Sequence, residues 1–534
     1  MPIVTGPSND ASNDASNDAS NDAYEDLLRE QAKRNLERLS LFEPPPPPPP
    51  PPPPSSPGVQ PEKTQFEKLS QAVTYSLNET KPPSLRSRLR HWVATWVATC
   101  IGEIGAVLGA PRITDFGLAS RLLTAWSHDN MENIDAAQRV QVFGGKGDIN
   151  WQTSILPFME SIGMYLRDVQ AHTDAWALYR AFKDGGPKGL AEEAIDLYLD
   201  AHKEIDMLAQ VWGMRFVPLC DLCDVAPNGQ ARWDGPYCGM FLTTKKQQDR
   251  PFLGIAFKGT SPVNIQDWAV DCNYQLIPAA QGYFDGTQVP VSQGVYTGLF
   301  ENFPGKGVPY NQILSATRDA ASKLPNLSRR PVPAHVTGHS LGGSYSTLCY
   351  TQLLIDVAPS NPGAGEMIMG DEYTFGAPRI GSNEWAKLTD KLVEVQRGRS
   401  WRIVNNHDLV PQVPPTTLQP EERDFHHIDT GVHIWPYKEP AQLPSEVDQP
   451  NQKPYPIYSI LYLIPSLIMV LDHLPNRYYD SLQFAIANSR KVLNTHPLKG
   501  GLNQVPYYIH TIKVLYYTIL SYIHNVVFAI ASVF

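Results

Sequence analysis

The spacing of apolar positions changes near Pro236, and the change separates a helix-patterned part of the chain from a strand-bearing part. From about Thr64 to Gly213 the pattern is mostly helical. Leu190, Ala194, Leu197, Ala201, Ile205 and Leu208 recur at steps of three and four, which predicts one face of a single long helix. The segment Trp92 to Leu108 is also apolar and is expected to be buried. No group of residues with catalytic spacing stands out in this region, so packing is its expected role. Beyond Pro236, Tyr237–Leu242 and Phe252–Phe257 are short apolar runs flanking the polar turn Lys245–Arg250, the pattern of two adjacent strands. The runs Ala334–Thr337, Met367–Phe375 and Trp401–Val404 then alternate with helical stretches such as Asn311–Leu324. Such alternation predicts an α/β domain on a mostly parallel central sheet.

The first residues follow a different rule. Ser-Asn-Asp-Ala recurs four times in tandem from Ser8 to Ala23, with no apolar face to bury. A charged stretch, Tyr24 to Phe42, has helical character. Eleven consecutive prolines, Pro44 to Pro54, then form a stiff polyproline II spacer, because they lack amide donors and have a fixed φ. The plain reading is a disordered linker; the sharper one is a ligand for an SH3-like or WW-like partner. The expected organisation is a disordered leader at 1–62, a mainly helical region at 63–235, the α/β domain at 236–490 and an apolar tail at 491–534.

Composition narrows the function classes. The formal net charge is -10 with no basic block, which argues against nucleic acid as the main partner. Six cysteines in 534 residues imply no disulfide framework. Cys220 and Cys223 form a Cys-x-x-Cys pair with Cys238 downstream, but no fourth ligand stands at zinc spacing, so no metal is expected. Plain thiols, or one local disulfide, are the expectation. Met1 to Gly6 has neither the basic nor the apolar region of a secretory signal, so export by that route is not expected. The last 21 residues, Val514 to Phe534, carry no Asp, Glu, Lys or Arg and are long enough to span a bilayer. A membrane anchor and a buried terminal helix are both open readings of that tail.

Chemistry concentrates around Gly338-His339-Ser340-Leu341-Gly342-Gly343. Gly-x-Ser-x-Gly between a short strand and a helix is a nucleophile elbow, whose sharp turn needs small residues two before and two after the serine. A serine hydroxyl is a weak nucleophile until a base takes its proton and an acid orients that base. In this arrangement the chain order is serine, acid, histidine, so both partners are sought after Ser340. Asp408 follows the predicted strand Trp401–Val404 in a loop at the C-terminal edge of the sheet, where α/β active sites form. Asp371 competes but precedes a strand. His426 and His427 are nearest to Asp408 in sequence; His473 and His407 are the other candidates for the base.

Five segments, in order and with approximately the right spacing, resemble the fungal class 3 lipases. They are Ala256-Phe257-Lys258-Gly259-Thr260, the elbow, Thr374-Phe375-Gly376-Ala377-Pro378-Arg379, Asn406-His407-Asp408-Leu409-Val410-Pro411, and Asp472-His473-Leu474 with Tyr478-Tyr479. The resemblance covers roughly Cys238 to Leu482. It implies an α/β-hydrolase fold and hydrolysis of acylglycerol esters, without metal or organic cofactor. It implies Ser340 as nucleophile, Asp408 as acid, and His473 rather than His427 as base. It also implies an oxyanion hole from the N–H of Leu341 and from Thr260. This sequence departs from the family's tighter spacing by inserting Pro475-Asn476-Arg477 before the tyrosines.

After Thr260, Ile265, Trp268, Ala269 and Cys272 fall on one side of a short helix opened by Pro262. That stripe resembles a lipase lid; a permanently packed surface helix is the other reading. The leading expectation is a lipase acting through an acyl-enzyme on a lipid ester at a membrane surface. A phospholipase A1 or general carboxylesterase uses the same residues, and a non-catalytic membrane-associated scaffold is the reading from a different class.

Overall fold

In the computed structural model the described residues are 24–37, 116–143, 147–225, 231–243, 250–259, 276–303, 307–324, 331–357, 363–395, 398–408, 410–412, 425–428, 431–443, 446 and 472–493. The polyproline run, Trp92–Leu108, the lid-like stripe and the C-terminal tail lie outside them. Among the described residues no helix is long and apolar enough to cross a membrane.

The strands in chain order are β1 (Met214–Val225), β2 (Ala231–Thr243), β3 (Leu253–Phe257), β4 (Leu276–Pro278), β5 (Pro290–Ser292), β6 (Val332–His339), β7 (Met367–Phe375), β8 (Ser400–Asn405), β9 (Gly431–Ile434) and β10 (Ala441–Gln442). One eight-stranded sheet runs β1-β2-β3-β6-β7-β8-β9-β10, and β4 with β5 forms a separate ribbon. From β3 through β9 every neighbouring pair in the large sheet is parallel; antiparallel β1–β2–β3 and β9–β10 pairings extend its two ends. This is the α/β architecture with a mostly parallel central sheet that the alternating runs predict.

The central strands are largely apolar without strict alternation because both their faces are covered. Leu253, Ile255 and Phe257 of β3, with Val332, Ala334 and Val336 of β6, join the core under the helix Leu341–Asp356. The opposite face packs on the helix Trp151–Gly163, which is buried all round except at Gln152 and starts on Asn150. Asn150 caps it: its side chain accepts from the amides of Gln152 (3.1 Å) and Thr153 (3.4 Å). Inside this helix Glu160 hydrogen-bonds His335 of β6 at 2.5 Å.

Two expectations need correction. The apolar series from Leu190 to Leu208 is not one helix but two, Gly189–Asp200 and Lys203–Val211, broken at Ala201–His202. Each helix buries its own part of the series, Ala194 in one core cluster and Ile205 and Leu208 in another. The boundary set at 235/236 cuts through β2, because the sheet begins earlier, at Met214. Residues 24–37, inside the charged stretch Tyr24–Phe42 read as having helical character, form a helix. This helix covers the free edge of β1. Tyr24 Oη donates to the carbonyl of Phe216 (2.6 Å), Gln31 to that of Leu219 (3.2 Å) and Asn35 to that of Pro218 (3.2 Å). An exposed strand edge invites pairing with other chains, and this cover removes that hazard. Cys220 and Cys238, neighbours across β1 and β2, and Cys349 are not disulfide-bonded.

A register shift between β6 and β7 explains a buried acid. Ala334 and Val336 face Met369 and Glu372, so β7 carries one extra residue, which inverts its later side chains. Glu372 is thereby turned toward the elbow helix. It accepts from Ser346 Oγ (3.3 Å) and Ser400 Oγ (2.6 Å), and burial pushes its carboxyl up to about 7. A carboxyl raised in the folded state contributes stability that is full below its ordinary value of 4.5 and is lost as pH rises through 7. Glu372→Gln is therefore expected to be more stable than wild type at pH 9 by about 3 kcal/mol relative to pH 4. Denaturant titrations of both proteins between pH 4 and 9 measure it. Parallel pH curves would mean Glu372 ionisation does not govern this loss.

Candidate active site

Strand β6 ends at His339 and the helix Leu341–Asp356 begins one residue later, leaving Ser340 to make the whole turn. Its backbone sits at φ 59° and ψ -132°, a region a non-glycine residue occupies only when its surroundings hold it there. Those surroundings explain the flanking glycines. A Cβ at Gly338 would lie 2.1 Å from the carbonyl oxygen of Gly342, and one at Gly342 would lie 2.4 Å from that of Phe257. The amide of Ser340 is tied to the carbonyl of Phe375 at the end of β7 (2.9 Å).

Parallel strands bring their carboxyl ends to one edge of the sheet. Asp408 follows β8 there, as expected, and is fully buried. Its Oδ1 accepts from the amide of Val410 (2.9 Å), and its Oδ2 accepts from Tyr478 Oη (2.6 Å). His473 lies between the two other candidates: Nδ1 is 2.8 Å from Asp408 Oδ2 and Nε2 is 2.8 Å from Ser340 Oγ. Ser340, His473 and Asp408 thus form one hydrogen-bonded line, with the serine and histidine only 5% and 8% exposed. A carboxylate accepts, so Nδ1 carries the proton and Nε2 faces the hydroxyl as an acceptor.

The competing residues go elsewhere. His427 is buried with Nε2 on the carbonyl of Pro411 (2.7 Å), its amide on Glu446 and its imidazole held well below the usual range by burial. His407 is half exposed, beside Asp472 at 3.7 Å. Asp371 lies within β7, accepting from the amide of Arg399 (2.9 Å) and from Tyr373 Oη (3.3 Å). Leu341 is the first residue of the elbow helix, whose leading amides have no partner within the helix. Thr260 lies outside the described residues.

Several contacts in this site were not singled out as functional from sequence. Asp472 holds the histidine loop against the acid loop: its Oδ2 accepts from Asn406 Nδ2 (2.8 Å) and from the amide of His407 (3.2 Å). Asn405 Nδ2 donates to the Asp472 carbonyl (2.7 Å). The inserted Pro475-Asn476-Arg477 forms the first turn of the helix Pro475–Leu493, which is why Tyr478 still reaches Asp408. Proline is well suited to a first helical position.

Residues 254–418 match the family model described as Lipase (class 3). That segment contains Ser340 and Asp408 and ends before His473. The chain is 26% identical over 240 residues to triacylglycerol lipase OBL1 of Arabidopsis thaliana, covering 42% of this chain and 44% of that protein. It is 32% identical over 125 residues to phospholipase A1-II 5 of Oryza sativa subsp. indica, covering 23% and 25%. Among solved structures, lipase II from Rhizopus niveus aligns with a TM-score of 0.31 and 18% identity, over 58% of this chain and 92% of that one. The chain spans less than half the length of the first curated relatives it matches.

Proposed function

The chain belongs to the class 3 lipase family, and from that premise we propose that it hydrolyses acylglycerol esters through an acyl-enzyme on Ser340. The single observation that carries this reading is the line Ser340–His473–Asp408 at the carboxyl edge of the sheet. His473 Nε2 takes the serine proton as Oγ bonds to the ester carbonyl carbon, and Asp408 stabilises the imidazolium. The Leu341 amide, at the head of the elbow helix, holds the tetrahedral oxyanion. Collapse expels the alcohol, which leaves with the proton from His473. A water, deprotonated by the same imidazole, then releases the fatty acid and restores the serine.

Triacylglycerol is the substrate we favour, following the lipase relatives; the sn-1 ester of a phospholipid is the second reading, favoured by the match to a phospholipase A1. Fatty-acid release by the full chain from a triacylglycerol emulsion and from phosphatidylcholine vesicles distinguishes the two. Labelling by a fluorophosphonate, mapped to its peptide, tests the nucleophile in the same samples. Release from the emulsion with label on Ser340 is expected. No release from either lipid and no label would overturn the proposal.

A further inference from the structure

Among the described residues, Tyr165 carries the helical region ahead of the sheet to the site. Tyr165 stands in the turn Met164–Leu166 that follows the helix Trp151–Gly163, outside the segment matched by the family model. Its Oη is 3.0 Å from Nδ1 of His339, the residue before the nucleophile. Nε2 of the same ring is 3.0 Å from the main-chain carbonyl of His473. A carbonyl only accepts, so Nε2 carries the ring proton. Nδ1 is then an acceptor, and Tyr165 donates to it.

We propose that Tyr165 and His339 are positioning residues, a directed relay that fixes the main chain of His473 and so sets its Nε2 against Ser340. The proposal rests on the triad reading above. His473 needs such a hold because its ring bonds constrain only the side chain. Two consecutive carbonyls of its loop, those of Asp472 and His473, are each held by a side-chain donor, Asn405 and His339. The ring of His339 also lies nearly parallel to that of His473, centroids 4.7 Å apart and planes 29° apart, so any slip of one is resisted by the other. The groups packed on His339 are His473, Tyr165 and the Tyr478 ring, edge-on at 5.7 Å, with Asp408 beyond it. Burial, then the neighbouring His473, hold His339 well below the usual imidazole range, consistent with a ring bearing one proton. Gly259 completes the junction. A Cβ there would lie 2.1 Å from Tyr165 Oη and 3.0 Å from Ser340 Cβ, so the hydroxyl occupies space beside the nucleophile itself.

The test uses the full chain and p-nitrophenyl butyrate, a soluble ester that needs no lipid surface. Rates are normalised to sites titrated with fluorophosphonate, so that unfolded protein does not count. Tyr165→Phe keeps the ring and removes the donor. It is expected to lower kcat about 10-fold with KM within about twofold, since a small misplacement of a reacting group costs rate rather than binding. His339→Phe should lower kcat at least as far, and the double variant should be no worse than His339→Phe alone, because the hydroxyl acts only through that imidazole. Wild-type kcat in Tyr165→Phe, an equal rise in KM, or a double variant whose loss is the product of the two single losses would overturn the relay. If Tyr165→Phe yields no titratable sites, His339→Phe is read alone by the same kcat criterion. Ser340→Ala, which has no titratable site and is compared per mole of folded protein, separates the two ideas. Turnover retained there sinks the triad reading, whereas an inert Ser340→Ala beside a wild-type Tyr165→Phe sinks only the relay.

Discussion

Ser340→Ala is expected to lower kcat for any ester this chain hydrolyses on the order of 100,000-fold, while leaving the thermal midpoint nearly unchanged. The two halves of that expectation have separate causes. Oγ is the only atom removed, and its bond in the folded protein is to His473 Nε2, itself held by Asp408 and by its own main chain. Alanine keeps the Cβ that the strained turn already accommodates at φ 59°, so the elbow has no reason to relax. Loss of the nucleophile, by contrast, leaves only binding and oxyanion stabilisation to act on the substrate. Activity on short and long p-nitrophenyl esters, with fluorophosphonate labelling in parallel, reads the result. Equal inertness of wild type and Ser340→Ala, with no label in either, would favour the scaffold reading over the enzyme.

Legibility followed the physics of each element. The parallel strands could be read because both their faces are buried, so Ala334–Thr337, Met367–Phe375 and Trp401–Val404 stand out as short, largely apolar runs despite polar residues such as His335, Glu372 and Arg402. Strand β1 could not, for Pro218 interrupts it, and a proline normally argues against a strand. It is tolerated because β1 is the last strand of the sheet and Pro218 turns its carbonyl to Asn35. That cover comes from residues 24–37, more than 180 positions away, and no local pattern announces such a docking. The break at Ala201–His202 was hidden because each helix buries its apolar side, Ala194, Ile195 and Tyr198 in one cluster and Ile205, Leu208 and Ala209 in another, so apolar spacing runs on through the interruption.

The elbow and the acid belong to short contiguous motifs with a chemical reason for every position, which is why Ser340 and Asp408 stood out. The partners that hold them do not. Tyr165 and His339 are 174 residues apart, and a tyrosine after an apolar helix looks like ordinary core. The available signal was His339 itself, a titratable side chain inside the elbow with no role in the nucleophile's own chemistry. Asp472 likewise read only as the residue before a histidine, although its carboxylate bridges the two loops that bring His473 to Asp408.

The choice of base is the prediction most exposed to error from sequence, since His427 stands 19 residues from Asp408 and His473 stands 65 away. His473→Ala is expected to lower kcat by about 10,000-fold or more in the folded protein, because Ser340 then has no acceptor for its proton. His427→Ala should do the reverse. Its ring is buried, donates to the Pro411 carbonyl at 2.7 Å and packs beside the Arg379–Glu446 ion pair. Removing it leaves that carbonyl without its donor and opens a cavity, at a cost of about 1–3 kcal/mol in stability. Activity per titrated site should stay within a few-fold of wild type. Burial keeps this imidazole well below the usual range, so it stays neutral across physiological pH and contributes no charge whose loss would disturb Asp408. Urea titrations beside kcat for both variants separate the two costs. Near-wild-type turnover in His473→Ala, or a collapse of turnover in a fully folded His427→Ala, would reverse the assignment.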